Sequence, residues 1–185
     1  MRYLHLLALA SLTFAGCTHI ETYPQTWDPI TVGQDRVCGN PTGKYWDIGE
    51  KPNGDQISLA AYLNPRSKDL LTPPLSFQPA HVELSLLDEK LFTVVASDDK
   101  GNRTEWSFSR DKGEFDCGNG FLSLKRGEAV ADKFPIIAGV GYVHINIYRL
   151  RDYLVINDSV GNVGIVLVVP VVQYLDRWSR FRVTN

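Results

Sequence analysis

The sequence predicts an all-β domain, an antiparallel meander that closes as a barrel or a sandwich of about eight strands. Apolar and polar residues begin to alternate at His81 and continue through Leu86, as in a half-buried strand. Turn-forming stretches such as Asp98–Asn102 separate short strands of this kind. No strand–helix–strand alternation occurs, so a parallel sheet is not expected.

The first half of the chain contributes one strand and one helix to this prediction. The strand is expected over Gly43–Ile48, before a turn at Lys51–Asp55. A short helix is expected near residues 57–63, where Asn64-Pro65 ends it. A proline-bearing connection that includes Thr72–Pro74 is expected to be a loop.

The second half contributes the longest strands. Pro135–Arg151 is the longest candidate, and Tyr153–Ile156 is expected to pair back on it. Val163–Val169 is apolar on both faces, which predicts a central strand or one covered on both sides. Tyr174–Val183 is expected to close the domain.

Composition restricts the class of protein. The chain has 19 Lys and Arg against 21 Asp and Glu, so it lacks the basic surface that nucleic-acid binding requires. A hydrophobic content of 44% is typical of a packed globule. Removal of a leader would leave about 169 residues, within the usual range for one domain.

The leader ends in Leu12-Thr13-Phe14-Ala15-Gly16-Cys17, after an apolar run too short to span a bilayer. This stretch resembles the lipobox of bacterial lipoproteins, although Phe14 departs from the small or aliphatic residue usual at that position. The resemblance implies cleavage before Cys17 and acylation of Cys17, including palmitate. Thr18 in place of Asp implies sorting to the outer membrane, with the domain facing the periplasm. The alternative is an ordinary secretory signal.

The resulting organisation is a signal peptide over residues 1–16, a lipidated N-terminus and flexible tether over 17–35, and a single all-β periplasmic domain over 36–185. Trp27 is expected either to dock on the domain or to lie at the membrane surface. Cys38 and Cys117 remain as an even pair in an oxidising compartment and are expected to form a disulfide.

Two resemblances bear on function. Cys17, the Gly43-Lys44-Tyr45 strand and the cysteine pair together are similar to small proteobacterial outer-membrane lipoproteins, which implies a location and not an activity. Gly43-Lys44-Tyr45-Trp46 resembles the Gly-x-Trp opening of lipocalins, barrels that hold apolar ligands. The lipocalin resemblance covers only these residues.

One strand face carries the first candidate site. Alternation puts Tyr142, His144, Asn146 and Tyr148 on the same side of the long strand. Aromatic and amide groups that line a barrel would form a pocket for a small ligand. The alternative is the solvent face of a half-buried strand.

A second candidate is a patch for an anionic partner, such as a phosphate of lipopolysaccharide or a carboxylate. Its members are five arginines near the C-terminus: Arg149, Arg151, Arg177, Arg180 and Arg182. The alternative is cross-strand pairing with the interspersed Asp152 and Asp176.

Catalytic and metal motifs are not found. No Gly-x-Ser-x-Gly elbow, His-Glu-x-x-His pair or phosphate loop occurs, and His81 and His144 sit at ordinary strand positions. The acidic residues at Asp98-Asp99, Glu114 and Asp116 lack the oxygen-ligand spacing of a calcium loop. No cofactor and no metal are expected.

The leading hypothesis is therefore a non-catalytic outer-membrane lipoprotein whose periplasmic domain binds another envelope component. The alternative is a lipocalin-like carrier of a small apolar ligand, and an enzyme is the third hypothesis. A carrier needs an internal cavity of several hundred Å³, whereas a partner-binding domain needs a filled core and an exposed apolar or aromatic patch.

Overall fold

The structure, a computed structural model, describes residues 18–30, 38–65, 75–126, 137–166 and 169–184. The predicted signal peptide and Cys17 lie outside these residues. Over the described ranges the chain forms one short helix and twelve strands: β1 Thr18–Ile20, β2 Gly43–Trp46, β3 Ile48–Glu50, β4 Gln56–Ser58, α1 Leu59–Leu63, β5 His81–Leu87, β6 Leu91–Ser97, β7 Arg103–Ser109, β8 Phe115–Gly118, β9 Phe121–Arg126, β10 Ile137–Arg149, β11 Tyr153–Val166 and β12 Val169–Arg182.

The strands form two sheets, which confirms the all-β prediction. The larger sheet has the order β4-β3-β12-β11-β10-β9-β8, and β1 pairs with β12 as well. The smaller sheet has the order β2-β5-β6-β7. All pairings are antiparallel except that of β1 with β12, which is parallel. Over the described part of the chain the sheets are not closed into a ring, so the arrangement fits the predicted sandwich.

The core lies between the two sheets. Alternation decides which residues enter it: Ile145 and Ile147 of β10 are 1% and 0% exposed, as their apolar face predicts. The smaller sheet contributes Val82, Leu84 and Phe92, all 0% exposed. Five aromatic side chains are fully buried between the sheets: Tyr45, Tyr62, Phe92, Phe115 and Phe181.

The predicted strand Gly43–Ile48 is two strands in different sheets. β2 pairs with β5 of the smaller sheet, whereas β3 pairs with β12 and β4 of the larger one. Asp47 lies between them and is 1% exposed. Alternation within so short a stretch carries no information on which sheet each half joins, so the single-strand prediction was wrong.

Asp47 caps α1 at this crossing. The Asp47 carbonyl accepts from the Leu59 N–H at 2.8 Å, and Asp47 Oδ1 accepts from the Ala60 N–H at 2.8 Å. The Ser58 hydroxyl accepts from the Ala61 N–H at 3.1 Å and donates to Asp47 Oδ1 at 3.1 Å. The first three N–H groups of the helix are therefore all satisfied, which accounts for a stable helix of one turn.

The helix in turn holds the sheets together. All five of its residues are buried. The Tyr62 hydroxyl is hydrogen-bonded to the Ser179 hydroxyl of β12 at 3.2 Å. At the other end, Trp106 Nε1 of β7 donates to the Leu63 carbonyl at 2.7 Å. The short helix thus contacts both layers of the sandwich.

Two further predictions have clear outcomes. Cys38 and Cys117 form the expected disulfide, with Cα atoms 4.5 Å apart and a sequence separation of 79. The predicted strand Val163–Val169 was wrong, because β11 ends at Val166 and β12 begins at Val169. A uniformly apolar stretch gives no turn signal, so the reversal was not visible in the sequence.

The N-terminal segment differs from the predicted flexible tether over residues 18–30. β1 pairs with Tyr174–Asp176 of β12. Glu21 then accepts from the Trp178 backbone N–H through its carboxylate and from Trp178 Nε1 through its carbonyl, both at 2.9 Å. Trp27 is 8% exposed and lies under the Arg180 guanidinium, so of its two predicted positions it takes the docked one.

Within the described residues, no helix is long and apolar enough to cross a membrane.

A substitution at Gly49 tests how closely β3 packs against β12. A Cβ built there would lie 2.4 Å from the Arg180 backbone oxygen and 2.3 Å from Phe181 Cδ1. Because the first neighbour is backbone, β3 has to move away from β12. We expect Gly49→Ala to lower the free energy of unfolding by about 1–3 kcal/mol in urea titrations. Gly118→Ala is the matched control, since nothing lies within 4 Å of its built Cβ; equal losses in both variants would contradict this account.

The pH dependence of stability tests the role of Asp47 in capping α1. Burial raises the pKa of its carboxyl above the ordinary value. The folded state then holds the proton more tightly than the unfolded state, so stability falls as pH rises from the ordinary aspartate pKa, about 4, towards the raised one. Asp47→Asn keeps an oxygen acceptor without a charge, so its unfolding free energy relative to the wild type should rise with pH across that window.

The control for this prediction is Asp55→Asn, at an exposed carboxylate on the β3–β4 turn. Asp47→Ala should instead destabilise the protein by about 1–3 kcal/mol, because the Ala60 N–H and the Ser58 hydroxyl lose a buried partner. Parallel stability curves for the wild type and Asp47→Asn over the acid range would contradict the role of the buried charge.

Candidate functional site

The predicted ligand face lies on the outer side of the larger sheet, facing away from the core. Because Ile145 and Ile147 point inwards, the alternate residues His144, Asn146 and Tyr148 lie on the opposite face. All three are half-buried. Tyr142 belongs to the same face by register, in a row with Gly161 and Tyr174. The face therefore does not line an internal pocket, and it is less open than an ordinary solvent face.

A cleft of about 420 Å³ opens on this face, here called the outer-face cleft. It runs across β8 to β12, so its walls depend on the pairing of five strands. Its lining residues are Asp116, Cys117, Gly118, Phe121, Ser123, Lys125, His144, Asn146, Ser159 and Tyr174. Two of the predicted residues, His144 and Asn146, thus lie in the cleft.

A polar network across β10, β11 and β12 adjoins the cleft, and two of its members, Asn146 and Ser159, line it. Asn146 Nδ2 donates to Asn157 Oδ1 at 3.3 Å, and Asn157 Nδ2 donates to Asp176 Oδ1 at 3.2 Å. The Ser159 hydroxyl donates to Asp176 Oδ1 at 2.5 Å. Asn157 and Ser159 are only 5% and 7% exposed. These mutual hydrogen bonds hold the amide and hydroxyl groups in defined orientations before any ligand arrives.

An aromatic row borders the network. The Phe121 and Tyr148 rings have centroids 5.1 Å apart, Tyr148 and Trp178 are 6.1 Å apart, and Trp178 and Tyr23 are 5.0 Å apart. The row therefore joins β9, β10, β12 and the docked N-terminal segment. Burial and the nearby negative charge of Asp176 raise the pKa of Tyr148, so its hydroxyl stays protonated at neutral pH.

Charges of both signs surround the cleft. Lys125 of β9 is opposite His144, and Asp116 of β8 is opposite Ser123. The Cys117 backbone N–H donates to the Asp116 carboxylate at 2.8 Å, and this bond, with help from Arg110, lowers the pKa of Asp116. Asp116 is therefore ionised at neutral pH. The cleft combines fixed donors and acceptors with aromatic faces and has no strong net charge.

The predicted anion patch was wrong as a single surface, because strand alternation divides its arginines between two faces. Arg149 is on the inner side of β10, with its guanidinium carbon 5.2 Å from the centre of the Tyr45 ring. Arg177 is on the inner side of β12 and forms an ion pair with Asp158, which is 1% exposed. Burial raises the pKa of Tyr45 to about 12, and the Arg149 charge opposes that rise.

The other arginines lie outside the core. Arg180 Nε donates to Glu50 Oε1 at 2.6 Å, and its guanidinium lies 4.8 Å from the centres of both the Trp27 and Tyr153 rings. Arg182 is exposed and shares a second cleft of about 280 Å³ with Arg180 and Glu50. Arg151 is exposed in the β10–β11 turn. The alternative to an anion patch, pairing of the arginines with acidic residues, therefore describes Arg177 and Arg180 better. Their partners are Asp158 and Glu50, and not the expected Asp152 and Asp176.

The two strand histidines are not brought together. His81 belongs to the smaller sheet, where its ring lies 4.5 Å from that of Trp46 and its Nε2 is 3.7 Å from an Asp99 oxygen. His144 belongs to the larger sheet. Among the described residues, no group of three His, Cys, Asp or Glu side chains has the geometry to hold a metal ion.

Several residues of the site were missed by the sequence analysis. Asn157 and Ser159 alternate on β11, and Asp176 and Trp178 alternate on β12, so each pair shares a face by period alone. What the sequence did not contain was the register that sets Asn157 opposite both Asn146 and Trp178. The alternation signal was available, but nothing connected it with the β10 face.

In comparisons with known proteins, no protein-family model matches the chain, and no curated protein and no solved structure shows significant similarity to it.

Proposed function

We propose that this chain is a non-catalytic, outer-membrane-anchored lipoprotein whose periplasmic β domain binds another protein of the envelope through the outer-face cleft. The observation that carries the proposal is the combination, on one outer sheet face, of a preorganised polar network and a half-buried aromatic row. Tyrosine and tryptophan are the side chains that most often dominate the energy of protein interfaces. Tyr148 and Trp178 occupy such positions beside the cleft.

The packing of the sandwich favours this function over a lipocalin-like carrier. A carrier holds its ligand inside the fold, but the space between the two sheets is filled by fully buried aromatic and aliphatic side chains. The two clefts described above open at the surface. The carrier alternative therefore receives less support from the described residues.

The anchor is supported by sequence and by the position of the first described residues. The lipobox ends at Cys17, and β1 begins at the next residue, Thr18. Because β1, Glu21 and Trp27 are docked on β12, a lipid on Cys17 would be attached directly to the edge of the larger sheet. Such a short connection would keep the cleft close to the membrane that holds the lipid.

Lipidation is tested by expressing the full chain in a Gram-negative host with an alkyne analogue of palmitate. We expect the wild type to incorporate the label and to fractionate with outer membranes. Cys17→Ala should lose the label, while Cys38→Ala with Cys117→Ala should keep it. An unlabelled wild-type chain that fractionates with soluble periplasmic proteins would contradict the anchor.

The binding surface is tested by site-specific photocrosslinking in intact cells. A photoreactive phenylalanine replaces Ser123, which lines the cleft, or Ser85, an exposed serine on the outer face of the smaller sheet. We expect a discrete adduct from position 123 only, and Tyr148→Ala should lower its yield about tenfold or more, as loss of an interface hot spot does. Identical adducts from both positions, or an adduct insensitive to Tyr148→Ala, would exclude the cleft as the binding site.

A further inference from the structure

The three longest strands continue beyond the last described pairs with their neighbours. The pairing of β9 with β10 ends at Arg126–Val143, and that of β1 with β12 ends at Thr18–Tyr174. Beyond Val143, β10, β11 and β12 remain paired with one another for six further rows, and in the first of these rows Tyr174 also pairs with Thr18. We call this extension the distal arm; it comprises Ile137–Tyr142, Gly161–Val166 and Val169–Tyr174, and six rows span roughly 20 Å.

The outer rows of the distal arm are apolar on both faces. The register gives four successive rows from the end inwards: Ile137/Val166/Val169, Ala138/Ile165/Pro170, Gly139/Gly164/Val171 and Val140/Val163/Val172. Successive rows belong to opposite faces of a sheet. No charged residue occurs from Phe134 to Val143 or from Ser159 to Leu175. A sheet in water keeps one polar face, so this composition is typical of a segment covered on both sides.

The next two rows differ in composition. They contain Gly141/Asn162/Gln173 and then Tyr142/Gly161/Tyr174. Two amide residues and two tyrosines therefore follow directly after the apolar rows and precede the charged part of the sheet. Tyrosine is enriched at the level of lipid headgroups, where an aromatic ring and a hydroxyl are both accommodated. We call these two rows the polar collar.

The polar collar is also next to the proposed lipid. Thr18 pairs with Tyr174, and Cys17 is joined to Thr18 by a peptide bond, so their Cα atoms are about 3.8 Å apart. If Cys17 is acylated, as the proposed function holds, its acyl chains are attached within one residue of the collar. The apolar extension of the strands and the predicted acylation signal therefore lie next to each other, although neither was inferred from the other.

We propose that the distal arm enters the headgroup–acyl boundary of the bilayer that also holds the lipidated N-terminus. The four apolar rows reach about 10 Å, the depth at which interfacial segments lie. Deeper insertion is opposed by the outer edges of β10 and β12, whose backbone groups have no strand partner among the described residues of the arm. The collar then lies among the headgroups, and the outer-face cleft, which Tyr174 of the collar also lines, lies at the membrane surface.

A second copy of the chain is the competing occupant. Edge-to-edge association requires a row of backbone donors, and Pro170 on the edge strand β12 has no N–H to contribute. Association through β12 is therefore disfavoured at the second row from the end of the arm. A lipid surface needs no such donors, and the position of the acylation signal independently favours it.

The test uses the mature chain, residues 17–185 with Cys17→Ser, so that neither the apolar leader nor an acyl chain contributes, in flotation with vesicles of phosphatidylethanolamine and phosphatidylglycerol. We expect this chain to float with the vesicles. Ile165→Asp and Val171→Asp, which lie on opposite faces of the arm, should each lower the partition coefficient about tenfold or more, because a buried charge opposes insertion. Ser85→Asp, on the smaller sheet, should float like its parent.

Three outcomes overturn the proposal: a parent chain that stays with the soluble fraction, arm variants that float like the parent, or arm-dependent oligomers without flotation. The last would assign the arm to a second copy. Failure of the palmitate label at Cys17 leaves this assay interpretable, since the Cys17→Ser chain carries no acyl group.

A second measurement covers the case in which the charged variants do not fold. Ile165→Cys in the Cys17→Ser chain carries the only free thiol, because Cys38 and Cys117 are joined. An environment-sensitive fluorophore on that thiol should shift to the blue with vesicles and be quenched by brominated lipid. The same probe at Ser85→Cys should not respond. Equal responses at the two positions would contradict insertion of the arm.

Discussion

The rest of this structure depends on how the outer edge of β12 is covered, because among the described residues no single strand pairs along its length. β1 covers Tyr174–Asp176, and β3 pairs at Arg180. Between them the Trp178 N–H would have no strand partner, and the Glu21 carboxylate accepts it. A buried N–H without a partner costs about 1–3 kcal/mol, so this single side chain allows two short strands from distant parts of the sequence to share one edge.

The need of backbone groups for hydrogen-bond partners also explains how the chain crosses from one sheet to the other at Asp47. The chain leaves the smaller sheet after Trp46 and joins the larger one at Ile48. Asp47 makes that exchange possible because its N–H donates to the Ala80 carbonyl, while its carbonyl and carboxylate cap α1. Its second carboxylate oxygen is buried without a hydrogen-bond partner. The short connection between the two sheets therefore leaves one buried carboxylate oxygen in an unfavourable position.

The alternation of residues within one strand predicted which way its side chains point, whereas the features that depend on strand pairing and register could not be predicted from it. Alternation identified the outward face of His144, Asn146 and Tyr148 and the inward face of Ile145 and Ile147, because one strand is enough to define both. Counting cysteines identified the Cys38–Cys117 bond. The division of Gly43–Ile48, the reversal after Val166 and the separation of Arg149 from Arg180 depend on which strands pair and in which register. Those choices are made by contacts between residues far apart in sequence, which a periodic pattern does not record.

The proposed cleft and the proposed membrane contact are connected through β12. Tyr174 belongs to the polar collar and Trp178 to the aromatic row, four residues further along the same strand, or roughly 13 Å. A rigid strand that enters the headgroups at Tyr174, which also lines the cleft, would therefore hold the cleft at the membrane surface. Docking of Glu21 and Trp27 removes the freedom that a flexible tether would allow. A partner that reaches the cleft would then have to be a protein segment that itself lies at the membrane surface, and a freely diffusing periplasmic protein would fit the geometry less well.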